Sequence, residues 1–253
     1  MRLTILGRWS PYPPAGGASP GYLLEAEGQR LLLECGTGVL GNLQRVTGEI
    51  ALQGVVVSHL HPDHVLDLFA LKQALHFGGP RPAPPLPLLG PPGALDRLPA
   101  WLGPEEQARF RERFLFIPMA DGRSARLGPF VLRFAQTSHP VPCFAVRVEA
   151  GGRVLAYSAD TGPSERVPLL AREAHLFLCE ATLREADEEH SLRLGHLSGR
   201  MAGHMAAAAD AGILLLTHFF TPYGDYTEEA AAGAAKEFAG EVRIARELDV
   251  YEV

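Results

Sequence analysis

The chain carries the stretch His59-Leu60-His61-Pro62-Asp63-His64 directly after an apolar run at residues 54–58. The run has the length and the continuous apolar character of a strand that is buried on both faces. Four side chains with metal-binding groups therefore leave a rigid strand end within one short turn. Imidazole nitrogen and carboxylate oxygen suit zinc, and also manganese or iron. Because a tetrahedral ion rarely takes four ligands from one tight turn, this stretch predicts two ions that share one loop.

Three further residues with metal-binding side chains lie at a similar position, just after an apolar strand-like run: His139, Asp160 and His218. Each of them alone is more often a structural residue than a ligand. Their shared position after a strand, which is also that of residues 59–64, favours a common site. We therefore expect these side chains to complete the set of metal ligands.

Short β-type runs alternate with helical patterns along the chain. Strands are predicted at residues 2–6, 22–26, 30–34, 54–58, 86–89, 130–136, 143–150, 153–158, 176–180 and 213–217. Helices are predicted at residues 65–76, 105–113, 165–174, 198–211 and 227–238. We find no fixed-period repeat and no low-complexity linker, so we expect a single domain over residues 1–253.

Two stretches rich in proline and glycine, residues 11–21 and 78–92, cannot be regular structure throughout, because proline lacks an amide donor and fixes φ. Both stretches are typical of surface loops. A sharper hypothesis for residues 11–21 is that they border the active site and shape substrate access.

The composition is that of an ordinary globular protein, with 47% hydrophobic and 21% charged residues. The net charge of −6 argues against a non-specific nucleic-acid or membrane-surface binder. Three cysteines lie far apart and in odd number, which favours a reducing compartment without a disulfide framework. Residues 1–10 lack the apolar run of a signal peptide, and no apolar stretch is long enough to span a bilayer. We therefore expect a cytoplasmic protein with no membrane partner.

In their order along the chain, residues 59–64, His139, Asp160 and His218 resemble the motifs of the metallo-β-lactamase superfamily. The resemblance runs over essentially the whole chain. It implies an α/β fold, the αββα four-layer sandwich, in which two mixed β-sheets face each other, helices lie outside and the metals lie at one edge. It also implies two divalent ions, zinc first and manganese or iron as alternatives. The implied ligands are His59, His61 and His139 for one ion, Asp63, His64 and His218 for the other, and Asp160 between them.

A finer resemblance to the ribonuclease Z-like branch lies in residues 179–183, 195–198 and 217–219. It implies a catalytic role for His196, either as proton donor to the leaving oxygen or as a stabiliser of charge on phosphoryl oxygens. The alternative is that His196 is an ordinary histidine in the loop before the helix predicted at residues 198–211.

Two departures from that branch affect the interpretation. Glu34 stands where the branch usually has aspartate, which questions its part in orienting the metal loop. Ribonuclease Z carries its tRNA-gripping arm between the counterparts of His139 and Asp160, which here are only 21 positions apart. That interval leaves no room for an arm, so pre-tRNA processing is not expected. Asp67, one turn after His64, is either a hydrogen-bond partner of a ligand histidine or an exposed helix carboxylate.

These residues predict a metal-dependent hydrolase in which a hydroxide that bridges two ions is the nucleophile. Asp63 then acts at the catalytic centre as a metal ligand and not as a free base. The leading hypothesis is a phosphodiesterase acting on a small-molecule or short nucleotide substrate, such as a cyclic nucleotide or a short single-stranded RNA. No stable nucleic-acid partner is expected, and the family implies a homo-oligomer.

Two alternatives to this function remain open. A carboxylic-ester, thioester or lactone hydrolase would use the same metal site, and it is favoured if His196 points away from the metals. A non-catalytic binding protein of the same fold is disfavoured, because clustered histidines and carboxylates are costly to keep together without a metal.

Overall fold

Two seven-stranded sheets form the centre of the molecule, which this computed structural model describes over residues 1–78 and 84–253. The strands are β1 Arg2–Gly7, β2 Trp9–Ser10, β3 Gly21–Ala26, β4 Gln29–Leu33, β5 Gly54–Val56, β6 Leu86–Gly90, β7 Phe114–Pro118, β8 Ser124–Leu127, β9 Phe130–Gln136, β10 Phe144–Ala150, β11 Arg153–Tyr157, β12 Leu176–Glu180, β13 Ile213–Thr217, β14 Phe219–Phe220, β15 Glu241–Ile244 and β16 Val250–Glu252. The α-helices are α1 Val39–Thr47, α2 Pro62–Val65, α3 Asp67–Phe77, α4 Ala94–Arg97, α5 Pro104–Arg113, α6 Arg166–Leu170, α7 Ser191–Leu194, α8 Gly199–Ala208 and α9 Thr227–Glu237.

Both large sheets are mixed. The first has the order β16-β1-β3-β4-β5-β6-β7, and its strands from β4 to β7 are parallel. The second has the order β15-β13-β12-β11-β10-β9-β8, with parallel pairing from β11 to β15 and antiparallel pairing from β8 to β11. A third, two-stranded sheet pairs β2 with β14 in parallel.

The hydrophobic core lies in three layers. Leu24 and Leu31 of the first sheet meet Leu132 and Val146 of the second in a cluster between the sheets. A second cluster joins the first sheet to α1 and α3, and a third joins the second sheet to α6, α8 and α9. The predicted αββα sandwich is therefore confirmed, because each sheet buries one face on the other sheet and one face under helices.

The predicted elements agree with the structure best where an apolar run is flanked by clear breaks. Strands β9, β12 and β13 have the predicted bounds. The helix predicted at residues 65–76 is instead two helices, α2 and α3, which are separated at Leu66. The helices predicted at residues 165–174 and 198–211 end earlier, at Leu170 and Ala208. Helix α1 and strands β7, β8, β15 and β16 were not predicted.

The two proline-rich stretches differ in what the structure describes. Residues 11–20 contain no helix or strand, as expected, and the first part of the stretch is exposed whereas residues 18–20 are buried. Within residues 78–92, strand β6 is present, and residues 79–83 lie outside the described part of the chain. Among the residues that are described, no helix has the length and apolar character to cross a membrane.

The topology places the predicted ligands at one edge of the sandwich. Strands β9, β11, β12 and β13 run in the same direction, so their carboxyl ends meet at the same edge of the second sheet. The loop after β5 of the first sheet reaches the same edge, where Phe144 N donates to Ser58 O at 3.1 Å. The contact joins the two sheets where the ligand-bearing loops begin.

Candidate metal centre

A first group of ligand atoms lies between the loop after β5 and the ends of β9 and β11. His61 Nδ1 is 3.0 Å from His59 Nε2 and 3.3 Å from His139 Nε2. Asp160 Oδ2 is 3.5 Å from His59 Nε2. One ligand atom from each of these four residues lies within 4.8 Å of every other. Three imidazoles and one carboxylate thus converge on a single point.

A second group shares Asp160 with the first. His64 Nε2 and His218 Nε2 are 3.1 Å apart, and each lies 3.6 Å from Asp63 Oδ2. The other oxygen of Asp160, Oδ1, is 3.5 Å from His64 Nε2 and 3.3 Å from His218 Nε2. Asp160 therefore presents one carboxylate oxygen to each group.

The donor atoms fit metal ions in both spacing and chemistry. Zinc with bonds of about 2.0–2.1 Å in a tetrahedron separates its ligand atoms by about 3.3 Å, which is close to the separations observed here. Asp160 Oδ1 is buried and has no hydrogen-bond partner among the described residues. A buried carboxylate oxygen without a partner is costly, and a cation between the two histidines would satisfy it.

The electrostatic field at the second group also favours a cation. Burial lowers the pKa of His64, but Asp160, Asp63 and Glu34 outweigh it and hold that pKa well above its usual value. Burial raises the pKa of Asp160, yet the neighbouring His218, His64 and His59 hold it well below its usual value. Asp160 is thus ionised, and a positive charge is stabilised where its oxygen meets the imidazoles.

Four of the five predicted ligand histidines have a polar atom behind the ring, near Nδ1. Hydrogen-bond partners are Ser58 Oγ for His59 at 2.9 Å, Gly195 O for His139 at 2.9 Å and Thr182 Oγ1 for His218 at 2.8 Å. Nδ1 of His64 has no hydrogen-bond partner among the described residues, and Glu34 Oε1 lies 3.5 Å from it at ion-pair distance. Such contacts fix the ring and leave Nε2 facing the metal position. His61 is the exception and offers Nδ1 instead.

A tight turn after β4 supports the metal loop. Cys35 N donates to His64 O at 2.9 Å, and Glu34 precedes it with a φ of 62°. A Cβ atom on Gly36 would lie 1.9 Å from Asp63 O, so only glycine permits this approach. Glu34 also accepts from Ser58 N at 3.1 Å, so its longer side chain still reaches the metal loop.

Asp67 has neither of the two roles that its position in the sequence suggests. Its carboxylate accepts from Leu40 N at 2.8 Å and ties the start of α1 to α3. It is neither a fully exposed helix carboxylate nor a partner of a ligand histidine. The carboxylate that lies beside a predicted ligand histidine is that of Glu34, whose Oε1 is 3.5 Å from Nδ1 of His64.

His196 lies beside both groups and points toward them. Its ring centre is 5.3 Å from that of His139 and 5.6 Å from that of His218. One ring nitrogen lies within 4.8 Å of ligand atoms of Asp160 and His218. Its Nδ1 is 3.0 Å from Glu180 Oε1. Burial lowers the pKa of His196, but the charge and hydrogen bond of Glu180 outweigh burial and raise it to about 9.

Glu180 is a site residue that the sequence analysis did not single out. It is fully buried at the end of β12 and holds four donors: Thr161 N at 2.7 Å, His196 Nδ1 at 3.0 Å, Leu197 N at 3.1 Å and the Thr182 hydroxyl at 2.5 Å. The sequence did contain a signal for Glu180. It ends an apolar strand-like run, and His139, Asp160 and His218 each follow such a run. Thr182 carried no such signal.

Residues 11–21 lie next to the segment that follows His218. Trp9 and Ser10 pair with Phe219 and Phe220 in the small sheet. The hydroxyl of Thr221 donates to Tyr12 O at 2.5 Å. These contacts hold the proline-rich loop beside His218, the last of the predicted ligands along the chain.

Residues 29–219 match the family model described as the beta-lactamase superfamily domain. The chain belongs to the metallo-β-lactamase superfamily. It is 30% identical over 254 residues to the Bacillus subtilis protein named "Probable metallo-hydrolase YhfI", and the match covers 100% of both chains. It is also 30% identical over 277 residues to a ribonuclease Z of Mycobacterium bovis, covering 100% of this chain and 98% of that one.

The solved structures show the same likeness. The crystal structure of the metallo-β-lactamase fold protein YhfI from Bacillus subtilis superposes with a TM-score of 0.87, at 28% identity over 99% of each chain. This metallo-β-lactamase superfamily member is therefore a metallo-hydrolase with a histidine and aspartate cluster able to bind metal. The interval from His139 to Asp160 is filled by the hairpin of β10 and β11, as expected for a chain without an arm.

Proposed function

We propose that the protein is a phosphodiesterase with two divalent metal ions, zinc first, that acts on a small or single-stranded nucleotide substrate. His59, His61 and His139 would hold one ion, Asp63, His64 and His218 the other, and Asp160 would bridge them. Two ions bound there would supply hydroxide at neutral pH and neutralise charge on the phosphoryl group. The remaining steps fall to the protein's own side chains.

The single observation that carries the phosphodiesterase proposal is the position of His196. Its Nδ1 is 3.0 Å from Glu180 Oε1, and one of its two ring nitrogens lies within 4.8 Å of ligand atoms of Asp160 and His218. A cationic imidazole there can hydrogen-bond a phosphoryl oxygen and can give its proton to the leaving oxygen. Glu180 keeps the ring in place and balances its charge.

The substrate class follows from the surroundings of the site. The interval between His139 and Asp160 contains only a hairpin, so no long arm is available there to hold a folded RNA. The likeness to ribonuclease Z supports phosphodiester chemistry, and the short hairpin favours a short substrate. The loop at residues 11–21 would then border the substrate's path, since Tyr12 is fastened beside the segment after His218.

A carboxylic-ester, thioester or lactone hydrolase remains the comparison class. It was favoured on the condition that His196 points away from the metals. The ring instead lies against the two groups, and an ester hydrolase has no phosphoryl oxygen that needs this cation. The orientation of His196 therefore supports the phosphodiesterase over the ester hydrolase.

The test is a hydrolysis panel with the metal-free protein reloaded with Zn²⁺, Mn²⁺ or Fe²⁺. The substrates are bis-p-nitrophenyl phosphate, cyclic nucleotides, a short single-stranded RNA, an aryl ester and a lactone. We expect metal-dependent phosphodiester cleavage that falls by about a hundredfold or more in His196→Ala.

The matched control is His204→Ala, which changes an exposed histidine of α8 and should retain wild-type rates. Ester or lactone turnover that is unaffected by His196→Ala, without phosphodiester cleavage, would contradict the proposal.

A further inference from the structure

The hydroxyl of Thr182 connects the Glu180 carboxylate to the back of a metal-ligand histidine. Thr182 Oγ1 is 2.5 Å from Glu180 Oε2, 2.8 Å from His218 Nδ1 and 3.1 Å from His218 O. All three residues are almost fully buried, with exposures of 3% or less. No water is needed to explain these contacts, because the hydroxyl reaches each of them directly.

The single proton of this hydroxyl has one strongly preferred acceptor. A carboxylate only accepts, and a hydroxyl donating to it forms a short, charge-assisted bond of about 2.5–2.7 Å. The 2.5 Å contact to Glu180 therefore takes the Thr182 proton. What remains on Thr182 Oγ1 is acceptor capacity, directed at His218 Nδ1. That nitrogen then carries a hydrogen, and in the neutral ring, the form that binds a metal, this leaves Nε2 of His218 as a lone pair facing His64 and Asp160.

We propose that Thr182 is a positioning residue that sets the tautomer of His218 and thereby the affinity of the metal group formed by Asp63, His64 and His218. This inference rests on the proposed metal site and adds a residue that controls it. The opposite tautomer would direct a hydrogen from Nε2 into the metal position. Glu180 determines which tautomer forms, because it accepts the Thr182 proton and so prevents Thr182 from donating to His218 Nδ1.

The geometry around Thr182 allows this role to be tested without moving the backbone. Tyr226 Oη lies 2.8 Å from Thr182 O, and Leu183 forms a bridge with Ser198. The chain is thus held on both sides of the hydroxyl by other contacts. His218 itself has a left-handed φ of 60°, so its ring has few other ways to reach the site. Thr182→Val removes only the hydroxyl, and Thr182→Ser retains it.

The first readout is the tautomer of the neutral His218 ring in the metal-free protein, from two-bond ¹H–¹⁵N spectra with ¹⁵N-histidine labelling, recorded at a pH above the titration of that ring. We expect the Nδ1–H form in the wild type and in Thr182→Ser, and its loss in Thr182→Val. The second readout is Zn²⁺ binding against a competing chelator. Thr182→Val should weaken one of two ions by about 10- to 100-fold and leave the other unchanged. Thr4→Val, a buried threonine in β1, serves as the control for losing a buried hydroxyl.

The proposal is overturned if wild-type His218 carries its hydrogen on Nε2, or if Thr182→Val binds both ions as the wild type does. Neither readout uses a substrate. A protein that binds two ions but cleaves no phosphodiester would therefore overturn the proposed function and leave the role of Thr182 intact. If the wild type cleaves a phosphodiester and Thr182→Val binds both ions as the wild type does, the proposed function stands and the role of Thr182 is overturned.

Discussion

Glu34 Oε1 lies 3.5 Å from Nδ1 of His64 and accepts from the Ser58 amide at 3.1 Å. One carboxylate thus holds both the end of the strand and a ring of the metal loop that follows it. Residue 34 adopts a left-handed φ of 62° in the turn after β4. The contacts bring the Glu34 carboxylate to the metal loop, although the ribonuclease Z-like branch usually has aspartate at this position.

Replacing Glu34 by glutamine should weaken metal binding without disturbing the fold. Glu34→Gln keeps the length of the side chain but removes the charge that supports His64. We expect Zn²⁺ affinity at the group of Asp63, His64 and His218 to fall by about 10- to 100-fold in a chelator competition. The control is Glu25→Gln, which alters a carboxylate of β3 that is paired with Arg2 and Arg30. Equal affinities in Glu34→Gln and wild type would show that Glu34 does not support the ion.

Gly36→Ala and Gly41→Ala should change stability in opposite directions. A Cβ on Gly36 would meet Asp63 O at 1.9 Å, so the metal loop must move. We expect Gly36→Ala to lower the free energy of unfolding by about 1–3 kcal/mol or more, and to weaken Zn²⁺ binding. Gly41 lies in α1 with nothing within 4 Å of such a Cβ. Gly41→Ala should stabilise by about 0.5–1 kcal/mol. Urea unfolding measures the free energy of unfolding of both variants. A Gly36→Ala variant that is as stable as the wild type would contradict the packing argument.

Removing single ligands should separate the two ions. His59→Ala should lose the ion of the first group and keep the second, whereas His218→Ala should do the opposite. Asp160→Ala should weaken both, because each oxygen of Asp160 faces one group. Metal content after dialysis, measured by plasma mass spectrometry, reports the stoichiometry. One ion in wild type, or full occupancy in Asp160→Ala, would contradict the bridged pair.

Metal removal should also lower stability, because the ions bind the folded chain. At a free Zn²⁺ concentration of about 1,000 times Kd, one site contributes about 4 kcal/mol. We expect the melting temperature to fall with chelator and to recover with Zn²⁺. The variant that combines His59→Ala with His218→Ala should lose most of this response. An unchanged response in that variant would place the stabilising ion elsewhere.

Glu180 and His196 should behave as one unit in catalysis. Glu180→Gln puts an amide where four donors converge, so it should lower the free energy of unfolding by about 1–3 kcal/mol. Both Glu180→Gln and His196→Ala should lower kcat/KM for a phosphodiester. With Zn²⁺ at a concentration that fills both sites, which offsets any weakening of the ion beside His218, we expect the double variant to be little worse than His196→Ala, since the carboxylate then acts on the reaction through the His196 ring. Multiplicative losses in the double-mutant cycle would show that the two residues act independently.

The sequence alone pointed to the candidate ligands, because each of these side chains lies close behind an apolar strand, and the fold brings them together. The runs that became β9, β12 and β13 have clear boundaries. The resemblance to the metallo-β-lactamase superfamily implied the two-sheet sandwich. His59, His61, Asp63 and His64 also declare themselves locally, since they follow one strand within six residues. Such signals need no knowledge of distant contacts.

The tertiary structure decided the residues whose role depends on contacts between distant parts of the chain. Glu34 meets His64 across 30 positions, Thr182 meets His218 across 36, and Glu180 meets His196 across 16. Local propensity also missed the edge strands β8, β15 and β16, which pair with only one neighbour in their sheets. The direction in which His196 points was likewise open in the sequence. A hydrogen-bond partner is set by where the fold brings two side chains, and residue type at one position carries no record of that distance.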